Sequence, residues 1–459
     1  MTLKSVTPLD AAFMLVDRDE MPWHIAVMMV YTLPDDAGDD FVADLRDQMR
    51  EQTVPASPYN LKPAFPSLRQ FPLMREVSEI DVDHHVRLHQ ISRPGGEREL
   101  NVLVGEIHDQ SLDPNHPLWE LHLIDGLAER QFAVFFKVHH SVLDGVTGMR
   151  RLLRWLSPDP AARNRPAMYT VGPESRPPSP RRAALTGAVK ASARTAYELT
   201  RTVLELARGS FDGNALASPY SSPKTMWHGR VSHGRSISYC QFGIADLKAV
   251  AADFDCTVSD LVLYLCGSGL RSYLLDRDAL PEAPLTAGAP FNIRGEDDER
   301  PGSAFAFLTV DLATEIANAE ERLDAVAASN SASKAQLSRL SEGALSLQTF
   351  VANGPMIATM ALGFGAFVPA AFGVVVSNVP GPREQLYLNG ARLDALIPIS
   401  IPMHNSPMNM TCIGHGDQMT FGVAAATNRV PGVHRITDGI VEALGELQRI
   451  GARRRMRAV

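Results

Sequence analysis

Four cysteines in 459 residues, Cys240, Cys256, Cys266 and Cys412, leave no CxxC pair. That excludes a thiolate zinc site and a disulfide framework. The net charge is −8 and the body of the chain has no long basic block, so wide nucleic-acid binding through charge is excluded. Only Arg453 to Arg457, RRRMR, forms a basic run. It reads as a solvated tail, with a contact to anionic lipid as the alternative. The opening MTLKSVTPLDAAFML lacks the apolar core of a signal peptide, and a reducing cytoplasm is expected. There is no GxSxG elbow, no P-loop and no dinucleotide fingerprint, which weighs against a serine esterase, a nucleotide hydrolase and a hydride-transfer enzyme. One apolar run, Met356 to Val376, is long enough to cross a bilayer but is broken by Gly363, Gly365, Pro369 and Gly373. It reads as a buried helix followed by a core strand at 374–376; a hydrophobic surface that touches membrane is the other reading.

The length exceeds one ordinary core, so two domains are expected. A first block over residues 1–157 mixes strands and helices. Apolar spacing predicts a short helix after Pro8, a strand over 25–33 and helices over 40–51 and 97–109. Residues 52–77 are Pro-rich and aperiodic, and read as loop. Strands over 121–124 and 132–138 read as a hairpin through Gly126, followed by a helix carrying Val146, Met149, Leu152, Leu153 and Leu156. Residues 158–225 read as a linker containing an Arg-punctuated amphipathic helix over 183–209, either solvated or lying on a membrane surface. The second block spans 226–459. It carries a strand over 236–242, a helix capped by Thr257 with Asp260 in its first turn, a helix over 314–326, a hairpin over 408–424 and a closing helix over 433–450.

The most specific chemistry lies in FAVFFKVHHSVLDG. His139 and His140 end an apolar run, and Asp144 and Gly145 follow. Imidazole has the reference pKa suited to proton abstraction near neutrality. Adjacent residues on extended backbone face opposite ways, so one histidine faces the packed side and the other a cleft. A single catalytic base is the leading reading; a buried structural pair and a metal pair are the others, although no convincing third ligand lies nearby. Asp144 either orients the imidazole across a helical turn or pairs with a distant arginine and holds the loop.

HHSVLDG resembles the HHxxxDG motif of acyl-CoA-dependent acyltransferases. The rest of the chain is similar to the bacterial wax ester synthase/diacylglycerol acyltransferase family. The resemblance rests on TPLDAAFMLVDRDEMPWHIAVMMVY, on Asp81 to Leu127 with its Pro117-Leu118-Trp119 element, on SNVPGP at Ser377 to Pro382, and on QMTFGVAAATNRVPGV. It implies an α/β fold of two chloramphenicol-acetyltransferase-like domains with a tunnel between them. It implies His140 as general base beside His139, with Asp144 mainly structural, through an arginine such as Arg294. Acyl-CoA would be the co-substrate, and diacylglycerol or a fatty alcohol the acceptor, with no bound cofactor and no metal. The product would be triacylglycerol or wax ester, made in the cytoplasm at the inner membrane or a lipid droplet. The family's Asn-Asp is replaced here by Ser259-Asp260, and a common Tyr-Asn by His415-Gly416. These departures leave room for the same fold esterifying another lipid, taking a carrier-bound acyl group, or acting weakly as a droplet-associated protein.

Overall fold

In the computed structural model the described residues are 3–65, 73–172, 217–292, 305–338 and 354–458. They build two six-stranded sheets with helices packed against them. The first sheet runs, in spatial order, Tyr387–Leu388, Ala391–Ile399, His24–Thr32, Gln131–His139, Trp119–Leu127 and Val86–Gly95. The second runs Phe305–Asp311, Thr286–Asn292, Val374–Val379, Met408–His415, Gln418–Ala426 and Arg235–Gly243. Most neighbours are antiparallel. Val374–Val379 is parallel to both of its neighbours, and Val86–Gly95 is parallel to Trp119–Leu127.

Gln131–His139 is a central strand of the first sheet and is covered on both faces, which is why its sequence is an almost unbroken apolar run. Its one cation, Lys137, is fully buried. Its ammonium donates to the carbonyls of Ile107 and Gln110 at 3.0 Å each and meets Glu120 Oε2 at 2.9 Å. It thereby supplies donors to the unpaired carbonyl end of the helix Glu97–Asp109. That helix buries Leu100, Val104 and Ile107, while Leu103 is only half-buried.

The two sheets do not divide at one point in the sequence. Ala391–Ile399 lies in the far half of the chain yet pairs with His24–Thr32 in the first sheet. Two glycines let the layers meet. A Cβ at Gly105 would lie 2.5 Å from the Arg235 carbonyl oxygen, and one at Gly422 would lie 2.3 Å from that of Pro398. Asp109 and Arg235 form an ion pair of 3.1 Å across the same seam.

Several expectations need correction. The 52–77 loop contains two short strands, Leu61–Pro63 and Leu73–Glu76, which join Leu3–Ser5 in a third sheet. The hairpin reverses at Glu129 and Arg130, both at φ 55°, while Gly126 lies within its strand. The helix expected at 314–326 is Ala319–Leu337, because Asn318 caps it by accepting from the Glu320 and Glu321 amides. The arginines at 453–457 are not a frayed tail. They continue the helix His434–Ala458, where Arg454 bonds Glu320 at 2.9 Å and Arg455 pairs with Asp253. The 356–376 run is a short helix over 354–361, a turn and the strand Val374–Val379. Met356 and Met360 are buried, but Leu362, Phe364 and Phe367 are 72%, 60% and 83% exposed. Among the described residues no helix is long and apolar enough to cross a membrane. The amphipathic helix expected over 183–209 lies outside the described residues.

Candidate active site

A cavity of about 880 Å³ opens between the two sheets. From the first half it is lined by Phe13, Trp23, Val138, His140, Asp144 and Gly145; from the second by Phe372, Val375, Ser377, Val379, Asn409 and Thr411. Strand alternation explains the second set. Val375 and Ser377 lie beside Asn409 and Thr411 in a parallel ladder, so odd-numbered residues of both strands share the cavity face.

The two histidines separate as extended backbone requires. Main-chain bonds hold both: the His139 amide donates to the Leu118 carbonyl and the His140 amide to that of Trp23, each at 2.9 Å. The first bond ties the Pro117-Leu118-Trp119 element to the strand end. Leu118 and Trp119 are fully buried, and Trp119 Nε1 donates to the Tyr59 carbonyl at 2.9 Å, so the strand end carrying the histidines rests on a fixed wall. His139 turns away from the cavity. Its Nδ1 accepts from the Ser141 amide at 3.1 Å and lies 2.7 Å from Ser141 Oγ. Burial, then neighbouring His140, pushes its pKa down to about 3, so it stays neutral at physiological pH.

His140 faces the cavity, its ring 4.8 Å from that of Phe13, which stacks on Trp23 at 5.0 Å. Burial lowers its pKa; a bond to its own main chain and the negative charges of Asp144 and Asp10 act the other way. A neutral imidazole held near carboxylates can take a proton and have the resulting imidazolium stabilised.

Asp144 is the N-cap of the helix Gly145–Trp155. Its Oδ1 accepts from the Thr147 amide at 2.7 Å. Gly145 opens that helix on the cavity wall. Of the apolar residues expected to bury this helix, Met149 and Leu152 do so, whereas Leu153 is exposed at the cavity rim. Arg294 lies outside the described residues.

Ser259 and Asp260 are not at the cavity. Ser259 sits on the first turn of Val258–Leu275, 3.4 Å from Lys334 Nζ. Asp260 is buried in a capping box with Thr257 and accepts 2.6 Å from Asn330 Nδ2. This pair anchors a helix of the second sheet and does not shape the cavity wall.

SNVPGP, in contrast, lines the cavity through Ser377 to Gly381. Gly381 is required there, since a Cβ would sit 1.7 Å from the Gly414 carbonyl oxygen. Sequence reasoning missed Asn409 and Thr411. The signal was present as polar residues at i and i+2 in an otherwise apolar strand, PMNMTCI. Among the described residues no group of three His, Cys, Asp or Glu side chains is placed to hold a metal.

Known proteins resemble this chain over most of its length. Residues 6–262 match the wax ester synthase/diacylglycerol acyltransferase catalytic domain, and residues 301–448 match the C-terminal domain of the same family. A putative diacylglycerol O-acyltransferase of Mycobacterium tuberculosis is 30% identical, over 97% of each chain. One from Mycobacterium bovis is 33% identical over 95% of this chain and 89% of its own. The solved wax ester synthase/diacylglycerol acyltransferase from Marinobacter aquaeolei VT8 superposes with a TM-score of 0.77 at 29% identity, covering 98% of this chain and 100% of that one. The first condensation domain of the CDA synthetase, at 15% identity and a TM-score of 0.59, shares the fold.

Proposed function

The chain belongs to the wax ester synthase/diacylglycerol acyltransferase family, and on that premise we propose how its cavity works. It is an acyl-CoA-dependent O-acyltransferase that esterifies diacylglycerol, a fatty alcohol, or both. The observation that carries this reading is His140, neutral and facing an apolar-walled cavity built from both halves of the chain. The cavity is part of a tunnel between two chloramphenicol-acetyltransferase-like units, with the domain division near residues 157 and 226 and the strand Ala391–Ile399 crossing back into the first sheet. Acyl-CoA enters from one side and the alcohol from the other.

His140 takes the hydroxyl proton as the alcohol oxygen attacks the thioester carbonyl. The carbonyl π pair moves onto oxygen, and its return expels CoA thiolate. The His140 imidazolium gives its proton to the thiolate. No acyl-enzyme is formed, and no bound cofactor is required. His139 and Ser141 fix the strand end, and Asp144 holds the start of the following helix while its charge favours the imidazolium.

A long-chain acceptor resides in membrane or lipid droplet, and the exposed Leu362, Phe364 and Phe367 support peripheral contact with such a surface. They follow directly on the helical turn whose Met356 and Ile357 line the cavity. The test offers hexadecanoyl-CoA with dioleoylglycerol or hexadecanol and separates the products by thin-layer chromatography. Triacylglycerol or wax ester from the wild type, and neither from His140→Ala, is the expected result. Equal turnover by His140→Ala would sink the assignment.

A further inference from the structure

The reaction generates an oxyanion, and an apolar cavity cannot stabilise one without a positioned donor. We propose that Asn409 is that donor: its side-chain amide holds the thioester oxygen while His140 moves the proton. The inference rests on the acyltransferase reading and assigns a further catalytic residue to the same site.

Asn409 is only 5% exposed and sits on Met408–His415, an interior strand of the second sheet. A buried amide there needs partners. One is present: Thr411 Oγ1 donates to Asn409 Oδ1 at 2.8 Å. With the oxygen occupied, Nδ2 points the other way. Among the described residues no protein acceptor meets Nδ2, and the side chain borders the cavity. An amide oriented by one bond, with its N–H groups presented to an apolar cavity, is ready for an acceptor supplied by substrate.

Asn409 and His140 line the same cavity, and packing connects them. The His140 ring lies 4.8 Å from Phe13. Phe13 packs in one apolar cluster with Val375. Val375 is the ladder neighbour of Asn409, one strand spacing of about 4.8 Å away. Base and donor thus border one cavity, His140 just past the end of a first-sheet strand and Asn409 on a second-sheet strand. A thioester carbonyl between them would have the attacking oxygen on the His140 side and its own oxygen on the Asn409 side. Nδ2–H would donate to the carbonyl oxygen as its π pair becomes a lone pair. The donor is released when the pair returns and the C–S bond breaks. Thr411 acts through Asn409, so it is a positioning residue.

The test uses the purified full-length chain with hexadecanoyl-CoA and dioleoylglycerol, and compares wild type with His140→Ala, Asn409→Ala, Asn409→Leu and Thr411→Val. Loss of one preorganised amide donor lowers kcat by about a hundredfold to a thousandfold. KM for the thioester should stay within about threefold, because the bond is stronger in the transition state than in the ground state. Thr411→Val should lower kcat by a smaller factor, with no change in the pH limb set by His140. Asn409→Leu keeps the branching of the side chain and serves if the alanine variant does not fold. Either Asn409 variant, folded and within threefold of wild-type kcat, overturns the proposal. Wild type without acyl transfer overturns the acyltransferase reading itself. Active wild type, inactive His140→Ala and active Asn409→Leu would overturn only the donor.

Discussion

Asp144 has two separable jobs, and a pair of substitutions pulls them apart. Its Oδ1 caps the helix Gly145–Trp155 through the Thr147 amide, and its charge raises the pKa of His140 against the lowering caused by burial. Asparagine is as good an N-cap as aspartate, but it is neutral. Asp144→Ala should therefore lose the cap, at about 1 kcal/mol. With an unfolding entropy of roughly 2 cal/mol/K per residue, a chain this long shifts its melting temperature by only about 1 °C for that loss. Melting is too blunt, and amide exchange at Thr147 and the rest of that first turn is the better assay. Exchange should quicken about fivefold in Asp144→Ala and stay near wild type in Asp144→Asn. The pH–rate profile reports the other job. His140 must be neutral to act, so the wild-type rate falls as pH drops through a value below 6.5. Removing the Asp144 charge lowers that value further. Asp144→Asn should then keep a larger share of its activity at pH 5.5 than wild type does. Its plateau should drop by less than about tenfold, because a weaker base gains less from the proton. An acid limb that does not move in Asp144→Asn would refute the electrostatic part. Exchange as fast in Asn as in Ala would refute the cap, and would favour a charge-paired carboxylate such as the expected contact with Arg294.

Gly381→Ala should abolish soluble expression or cut activity more than tenfold, because its Cβ would meet the Gly414 carbonyl oxygen, a backbone atom that cannot turn aside; wild-type activity and melting would contradict the close approach. Phe364→Ser with Phe367→Ser should weaken co-flotation with phosphatidylglycerol vesicles while leaving folding intact, and unchanged flotation would remove this loop from any lipid contact. Ser259→Asn should leave the ratio of triacylglycerol to wax ester within twofold of wild type, since Ser259 lies away from the cavity; a larger shift under competing acceptors would mean that helix does reach the substrate. Acid should destabilise the fold steeply: burial pushes His85, His108 and His139 down to about 3 and His122 to about 4. Unfolding lets them bind protons below their ordinary value of about 6.5, so each removes about 1.4 kcal/mol per pH unit as pH falls from there toward its folded value. A urea midpoint unchanged between pH 7 and pH 5 would contradict this.

What can be read from the sequence here is whatever local geometry decides. The spacing of Leu100, Val104 and Ile107 is enough to place the helix Glu97–Asp109, and Thr257 before Asp260 is enough to start Val258–Leu275. Adjacent histidines on a strand must part, and His139 and His140 do. The cap made by Asp144 was equally local, an acidic residue directly before a helix, but the neighbouring imidazole draws attention to orientation and charge instead. Partner choice is not local. Nothing in ARLDALIPI says that Ala391–Ile399 leaves its own half to pair with His24–Thr32, because any strand offers the same row of donors and acceptors. A departure from a family pattern marks a position without giving its direction, and Ser259 points at Lys334.

Asn409 joins these two kinds of information. Alternation along PMNMTCI puts Asn409 and Thr411 on one face from sequence alone. Whether that face looks into a helix layer or into the cavity depends on where the other sheet stands. The first sheet stands there because Gly105 and Gly422 let backbone meet backbone across the seam. An ordinary side chain at either glycine would hold the layers apart and widen the gap between the His140 wall and the Asn409 wall. The reaction therefore depends on two residues that carry no functional group, through the spacing they permit between the two that do.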